Sequence, residues 1–94
     1  MSKREQLQTQ IYDYLEANRE KFDAPYGILS SIETLGGGAG KVRTITFGAA
    51  RSLDCGLTIW SVNRISVHSQ GPASYRLKPI YHSVAELLAD LDKF

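Results

Sequence analysis

The residues best equipped for chemistry are Cys55, His68 and His82, with Asp54 beside the cysteine and Lys41 after a glycine run. A cysteine nucleophile acts as the thiolate, so it needs an adjacent base and a positive surrounding. Asp54 works against a thiolate, and neither histidine stands at a spacing that marks a Cys–His pair. Cys55 therefore reads as a buried strand residue, because an unoxidised cysteine behaves as a small hydrophobe. One cysteine and two histidines at unrelated spacings do not make a zinc site, and no metal or cofactor is expected. His82 reads as a loop residue ahead of Ser83. General acid–base catalysis would need paired carboxylates in a cleft. Here the acids outside Asp54 read as solvated helix faces. The run Gly36-Gly37-Gly38-Ala39-Gly40-Lys41 invites comparison with the phosphate loop G-x-x-x-x-G-K-[ST]. Leu35 stands where the first glycine belongs, Val42 where the Ser or Thr belongs, and a strand follows where a helix should. The run reads instead as a flexible inter-strand loop. No catalytic set remains, and the chain is expected not to be an enzyme.

Composition sets the frame for the elements. The chain has 94 residues, 43% hydrophobic and 22% charged, enough for one core and too little for two. One domain spanning residues 1–94 is expected. No apolar run approaches the ~18 residues of a membrane span. The polar start MSKREQLQTQ lacks a secretory signal's apolar region. A lone cysteine suits a reducing compartment, so a cytoplasmic location is expected. The formal net charge of +1 hides a division. Residues 41–78 hold six cations against Asp54 alone, whereas the flanking segments 1–40 and 79–94 are each acidic. Such a local field concerns partners and not fold.

The basic stretch is also the strand-rich one. Val42, Thr44, Ile45, Thr46 and Phe47 favour a pleated surface. Asp54 and Gly56 suggest a turn or bulge, after which Leu57, Ile59, Ile65 and Val67 alternate with Thr58, Trp60, Arg64, Ser66 and His68. Val62-Asn63 reads as a tight turn or a bulge between the two runs. Tyr75 to Lys78 reads as a further strand, with Tyr75 and Leu77 inward and Arg76 and Lys78 outward, ending at Pro79. Residues 26–35 fit either a weak strand or a short helix. The spacing of Leu7, Ile11, Tyr14, Leu15 and Phe22 predicts an amphipathic helix over 3–22, capped near Ser2 and stopped before Pro25. Ser83-Val84-Ala85-Glu86 is a capping box opening a helix over 83–92, with Leu87, Leu88 and Leu91 as its apolar stripe.

The fold class that follows is α+β. It is a two-layer arrangement with an antiparallel sheet of four to five strands and the N-terminal and C-terminal helices on one face. The other face stays open, as antiparallel sheets permit. It should carry Thr44, Thr46, Thr58, Trp60, Arg64, Ser66, His68, Arg76 and Lys78, and no acid. The partner-binding candidates are Trp60, Arg64, His68, Arg76, Lys78, Lys41 and Arg43, because Trp and Arg dominate binding energy at interfaces. A register shifted by one would exchange the faces and bury Trp60.

Two kinds of partner suit this surface. The first is another protein, with an acidic patch, bound by an inhibitor, adaptor or subunit. In size and composition the chain resembles small phage-encoded proteins that block host defence enzymes, which implies a viral protein without chemistry of its own. A homodimer through an edge strand or the open face extends this reading. The second is nucleic acid, whose phosphates cations can track while an aromatic stacks a base. The α–β–β–β–α order resembles double-stranded RNA-binding domains, although their basic cluster at the start of the last helix is replaced here by Ser83-Val84-Ala85-Glu86. A near-neutral chain is a poor electrostatic match to nucleic acid, and protein is the expected partner.

Overall fold

Ser2 starts the first helix by accepting the backbone N–H of Glu5 on its Oγ at 3.1 Å. In the computed structural model, residues 2–22, 27–35, 40–49, 53–69 and 76–94 are described. Helix α1 (Lys3–Ala17) leads into a single turn of helix, α2 (Arg19–Phe22). Strands β1 (Leu29–Leu35), β2 (Gly40–Ala49), β3 (Leu53–Ser61), β4 (Arg64–Ser69) and β5 (Ile80–Tyr81) follow, then helix α3 (Val84–Leu91). The five strands form one antiparallel sheet in the order β1-β2-β3-β4-β5, a meander with every neighbour adjacent in sequence. The fold is α+β, with the N-terminal and C-terminal helices packed on one face of the sheet.

The core is the layer between the helices and that face. Ile11 and Leu15 of α1, Phe22 of α2, and Leu87 and Leu91 of α3 are fully buried. They meet Ile45 and Phe47 of β2, Cys55, Leu57 and Ile59 of β3, Ile65 and Val67 of β4, and Tyr81 of β5. These strand residues are two apart along each strand and directly paired between strands, as in Ile45↔Leu57 and Leu57↔Val67. Phe22 lies edge-on to Phe47 with ring centroids 5.5 Å apart, a favoured aromatic geometry.

Several elements depart from the sequence-based expectation. The predicted helix over 3–22 breaks at Asn18, whose φ of −118° and ψ of 35° leave the helical region. Its Nδ2 donates to the Tyr14 carbonyl at 2.9 Å beside its own backbone N–H at 3.2 Å, so side chain and backbone close the helix end together. Residues 29–35 resolve as strand, not helix. Asp54 and Gly56 make no turn or bulge. They pair in register with Gly48 and Thr46, and the ladder instead shifts between Ile59 and Ser61. The expected strand over 75–78 is absent where described: Arg76 to Pro79 form turn and bend, and the strand is Ile80–Tyr81. Pro79 cannot donate, but its carbonyl accepts the Val67 N–H at 2.8 Å and leads the chain into β5. Tyr75, residues 36–39 of the glycine loop and the stop at Pro25 lie outside the described residues.

Two polar devices join the layers. Gln8 of α1, buried to 8% exposure, donates from Nε2 to the carbonyls of Ser31 (3.0 Å) and Thr44 (3.2 Å). Its Oε1 accepts from Arg43 Nη1 at 2.8 Å, and Arg43 Nη2 meets Glu5 Oε1 at 2.9 Å. At the other end, the Tyr81 hydroxyl accepts the Lys78 N–H (2.9 Å) and donates to Asp90 Oδ2 (2.6 Å). Tyr14 donates to Asp92. Burial first, and then these carboxylates, push the phenols of Tyr14 and Tyr81 up to about 12.

Two stability outcomes follow. Gln8→Ala removes the acceptor of Arg43 Nη1 and the tie from α1 to the β1–β2 seam, leaving Arg43 with Glu5 alone, and should lower unfolding free energy by about 1–3 kcal/mol, read from urea midpoints. Because the folded phenols titrate above their unfolded values near 10, the stability from keeping them protonated is complete below about pH 10. It is lost as pH rises towards about 12. Thermal melts over that window should show Tyr81→Phe losing less stability with pH than the wild type. Equal alkaline slopes would remove Tyr81 as a contributor.

Candidate functional site: the uncovered sheet face

Strand alternation decides what the helix-free side presents. Ser31, Thr44, Thr58 and Ser66 are successive partners across β1 to β4, and Ile80 of β5 continues the row. The neighbouring row is Leu29, Thr46, Gly56 and His68. The face is therefore a grid of hydroxyls, with Ser31 and Thr44 in mutual hydrogen bond at 2.6 Å. Exposed apolar groups mark its margins, Leu29 at 58% and Ile80 at 40% exposure.

Trp60 is placed by the ladder shift. Ile59 pairs with Ile65 and Ser61 with Arg64, so Trp60 is the extra residue of a bulge. Its indole Nε1–H donates to Ser66 Oγ at 2.9 Å, and Ser66 lies between buried Ile65 and Val67 on the open side. The Arg64 guanidinium stands 5.5 Å from the indole centroid, within cation–π range. Trp60 remains 36% exposed, so the indole is on the uncovered face and no helix covers it. One step beyond the Arg43↔Ile59 pair, Val42 is only 3% exposed although it alternates with the open face and stands outside the main core cluster. The register places it opposite Trp60.

The other candidates divide. His68 is exposed on the same face as Trp60 and Arg64. Arg43 is not there: it shares the phase of Ile45 and Phe47, points to the helices, and is held by Gln8 and Glu5. Arg76 and Lys78 also turn to the helix layer. The Arg76 guanidinium lies 5.3 Å from the Phe94 ring centroid, and Lys78 Nζ lies 4.0 Å from Glu86 Oε2 and 6.0 Å from the Tyr81 centroid. Lys41 pairs with Thr34 at the start of β2, and its side chain is outside the described set. Asp54 stands in β3 opposite Gly48, and its side chain is outside the described set. Among the described residues the surface is thus aromatic and hydroxylic with two basic groups, Arg64 and His68, and not a broad cationic field.

The sheet separates Cys55 from His68. Cys55 is fully buried on the helix side and pairs with Ser69, whereas His68 projects from the opposite side of the sheet. His82 is near the β3–β4 turn, its Nδ1 3.1 Å from the Asn63 carbonyl. Among the described residues, no group of three His, Cys, Asp or Glu could hold a metal ion. The glycine run is flanked by β1 and β2, strands on both sides. No helix among the described residues is long and apolar enough to cross a membrane.

The chain matches no family model, and the searches of curated proteins and of solved structures returned no match.

The chain has a single tryptophan, so its emission reports one place. Acrylamide should quench Trp60 substantially in the folded state, and Ser66→Ala should increase that quenching by freeing the indole N–H. A blue-shifted emission that resists acrylamide would contradict the exposed position.

Proposed function

We propose that this chain is a non-enzymatic protein-binding module that works by occupying another protein's surface through its uncovered sheet face. The single observation that carries the reading is Trp60, an exposed indole fixed in place by Ser66 and Arg64 on a face that no helix covers. Tryptophan and arginine are the residues on which interface energies concentrate, and a rim of hydroxyls can satisfy a partner's polar groups. Leu29 and Ile80 add apolar contact at either side of the same surface. An indole already held in one orientation loses little freedom on binding. Arg64 and His68 favour a partner with acidic groups near the tryptophan. An inhibitor of the phage type anticipated from composition is one form of such a module, and an adaptor or subunit is another.

The turning of Arg43, Arg76 and Lys78 towards the helices weighs against nucleic acid, because these cations are occupied within the fold. Affinity capture with wild type and with Trp60→Ala tests the proposal. The expected result is one set of proteins retained by wild type and lost from the variant, with a cost of about 2 kcal/mol or more for the isolated pair. An identical set on both would overturn the face assignment. Retention on immobilised nucleic acid that falls steeply with salt would favour the other partner class.

A further inference from the structure

We infer that β1 is a self-association edge, and that two copies of the chain join their sheets through it into one continuous ten-stranded layer. The inference goes beyond the proposed function and uses different residues.

Among the described residues, β1 is the first strand of the sheet order, with β2 on one side only. Its seven residues, LSSIETL, carry one charge, Glu33, and no lysine or proline, the residues that most commonly protect such an edge. Gln8 reveals which backbone groups are outward. Its Nε2 reaches both the Ser31 and Thr44 carbonyls, at 3.0 and 3.2 Å. Two carbonyls sharing one donor both point into the β1–β2 seam, so Ser31↔Thr44 is a hydrogen-bonded pair of the ladder. Alternation then turns the N–H and C=O of Ser30, Ile32 and Thr34 away from β2, towards the open edge.

These outward groups are complementary to themselves. An antiparallel pairing centred on Ile32 sets Ile32 against Ile32 of the second copy and Ser30 against Thr34 of the second copy. Each outward amide then meets an outward carbonyl, and the pairing uses all seven residues of the strand. Registers centred on Ser31 or Glu33 leave one end of β1 unpaired. The side chain at the centre fits as well. Ile32 is 52% exposed on the helix side of β1, beyond the cover of α1, and pairing brings two such isoleucines together on the axis. A two-fold axis normal to the sheet keeps the helices of both copies on one side. It also fuses the two uncovered faces into a single surface carrying two copies of Trp60.

Sedimentation of the full chain over a range of concentrations tests the inference. Wild type should show twice the chain mass at high concentration and dissociate on dilution. Ile32→Lys places two like charges at the axis, and Ser30→Pro removes an outward donor that the internal ladder does not use. Both should run at the single-chain mass with unchanged circular dichroism. Trp60→Ala should remain a dimer, which separates failure here from failure of the proposed function. Amide exchange in wild type supplies a readout that needs no variant: the Ser30 and Ile32 amides should become protected as concentration rises. A single-chain mass at every concentration, a double mass that survives both substitutions, or amides that stay unprotected would each overturn the inference.

Discussion

Successive side chains of a strand leave opposite sides of the sheet, and the helices of this chain pack on one of those sides. That constraint settles the environment of nearly every strand residue at once. Ile45, Phe47, Cys55, Leu57, Ile59, Ile65, Val67 and Tyr81 form the floor beneath α1, α2 and α3 because they share one phase. The hydroxyl rows and Trp60 belong to the other phase. A one-residue slip in any ladder would drive threonines into the core and isoleucines into water, which makes the pairing self-correcting.

Apolar packing is weakly directional, so burial alone does not specify where a helix sits along a sheet. The Gln8–Arg43–Glu5 group supplies that information at one end. Arg43 is a half-buried cation on the covered side, a costly placement unless its donors are met. Gln8 and Glu5 meet them while Gln8 also grips the β1–β2 seam. At the other end, Tyr81 is fully buried yet finds partners for both capacities of its hydroxyl in Lys78 and Asp90. Each helix is thereby positioned by a polar contact and held by an apolar one.

Much of this was legible in the residues themselves. The period-two runs around Ile45, Leu57 and Ile65 define the strands, Ser2 and Ser83 mark helix starts, and Val62-Asn63 marks a turn. The face bearing Trp60, Arg64 and His68 follows from the same alternation. The misplacements have identifiable causes. Arg43 shares the parity of Ile45 and Phe47, a signal present in the sequence but masked by the habit of placing charge outside. Tyr75-Arg76-Leu77-Lys78 alternates like a strand, yet the pairing falls on Ile80–Tyr81 and the cations fold back over Phe94 and Tyr81. Asp54 and Gly56 look like turn residues, and the strand overrides their preference because both neighbours pair with it. Gln8 gave no warning, since a glutamine between polar neighbours on a helix looks solvated until the layer beneath it is known.

The bulge at Trp60 has a consequence for how such a protein can change over time. An unpaired residue in a hairpin is one that a single-codon deletion can remove, leaving Ile59 and Ile65 still facing each other across a flush ladder. The reverse insertion restores it. The indole of the uncovered face therefore sits at a locus that mutation can erase, replace or reinstate while the pairs beneath the helices persist. Change in length at that one position is thereby uncoupled from the covered side of the sheet.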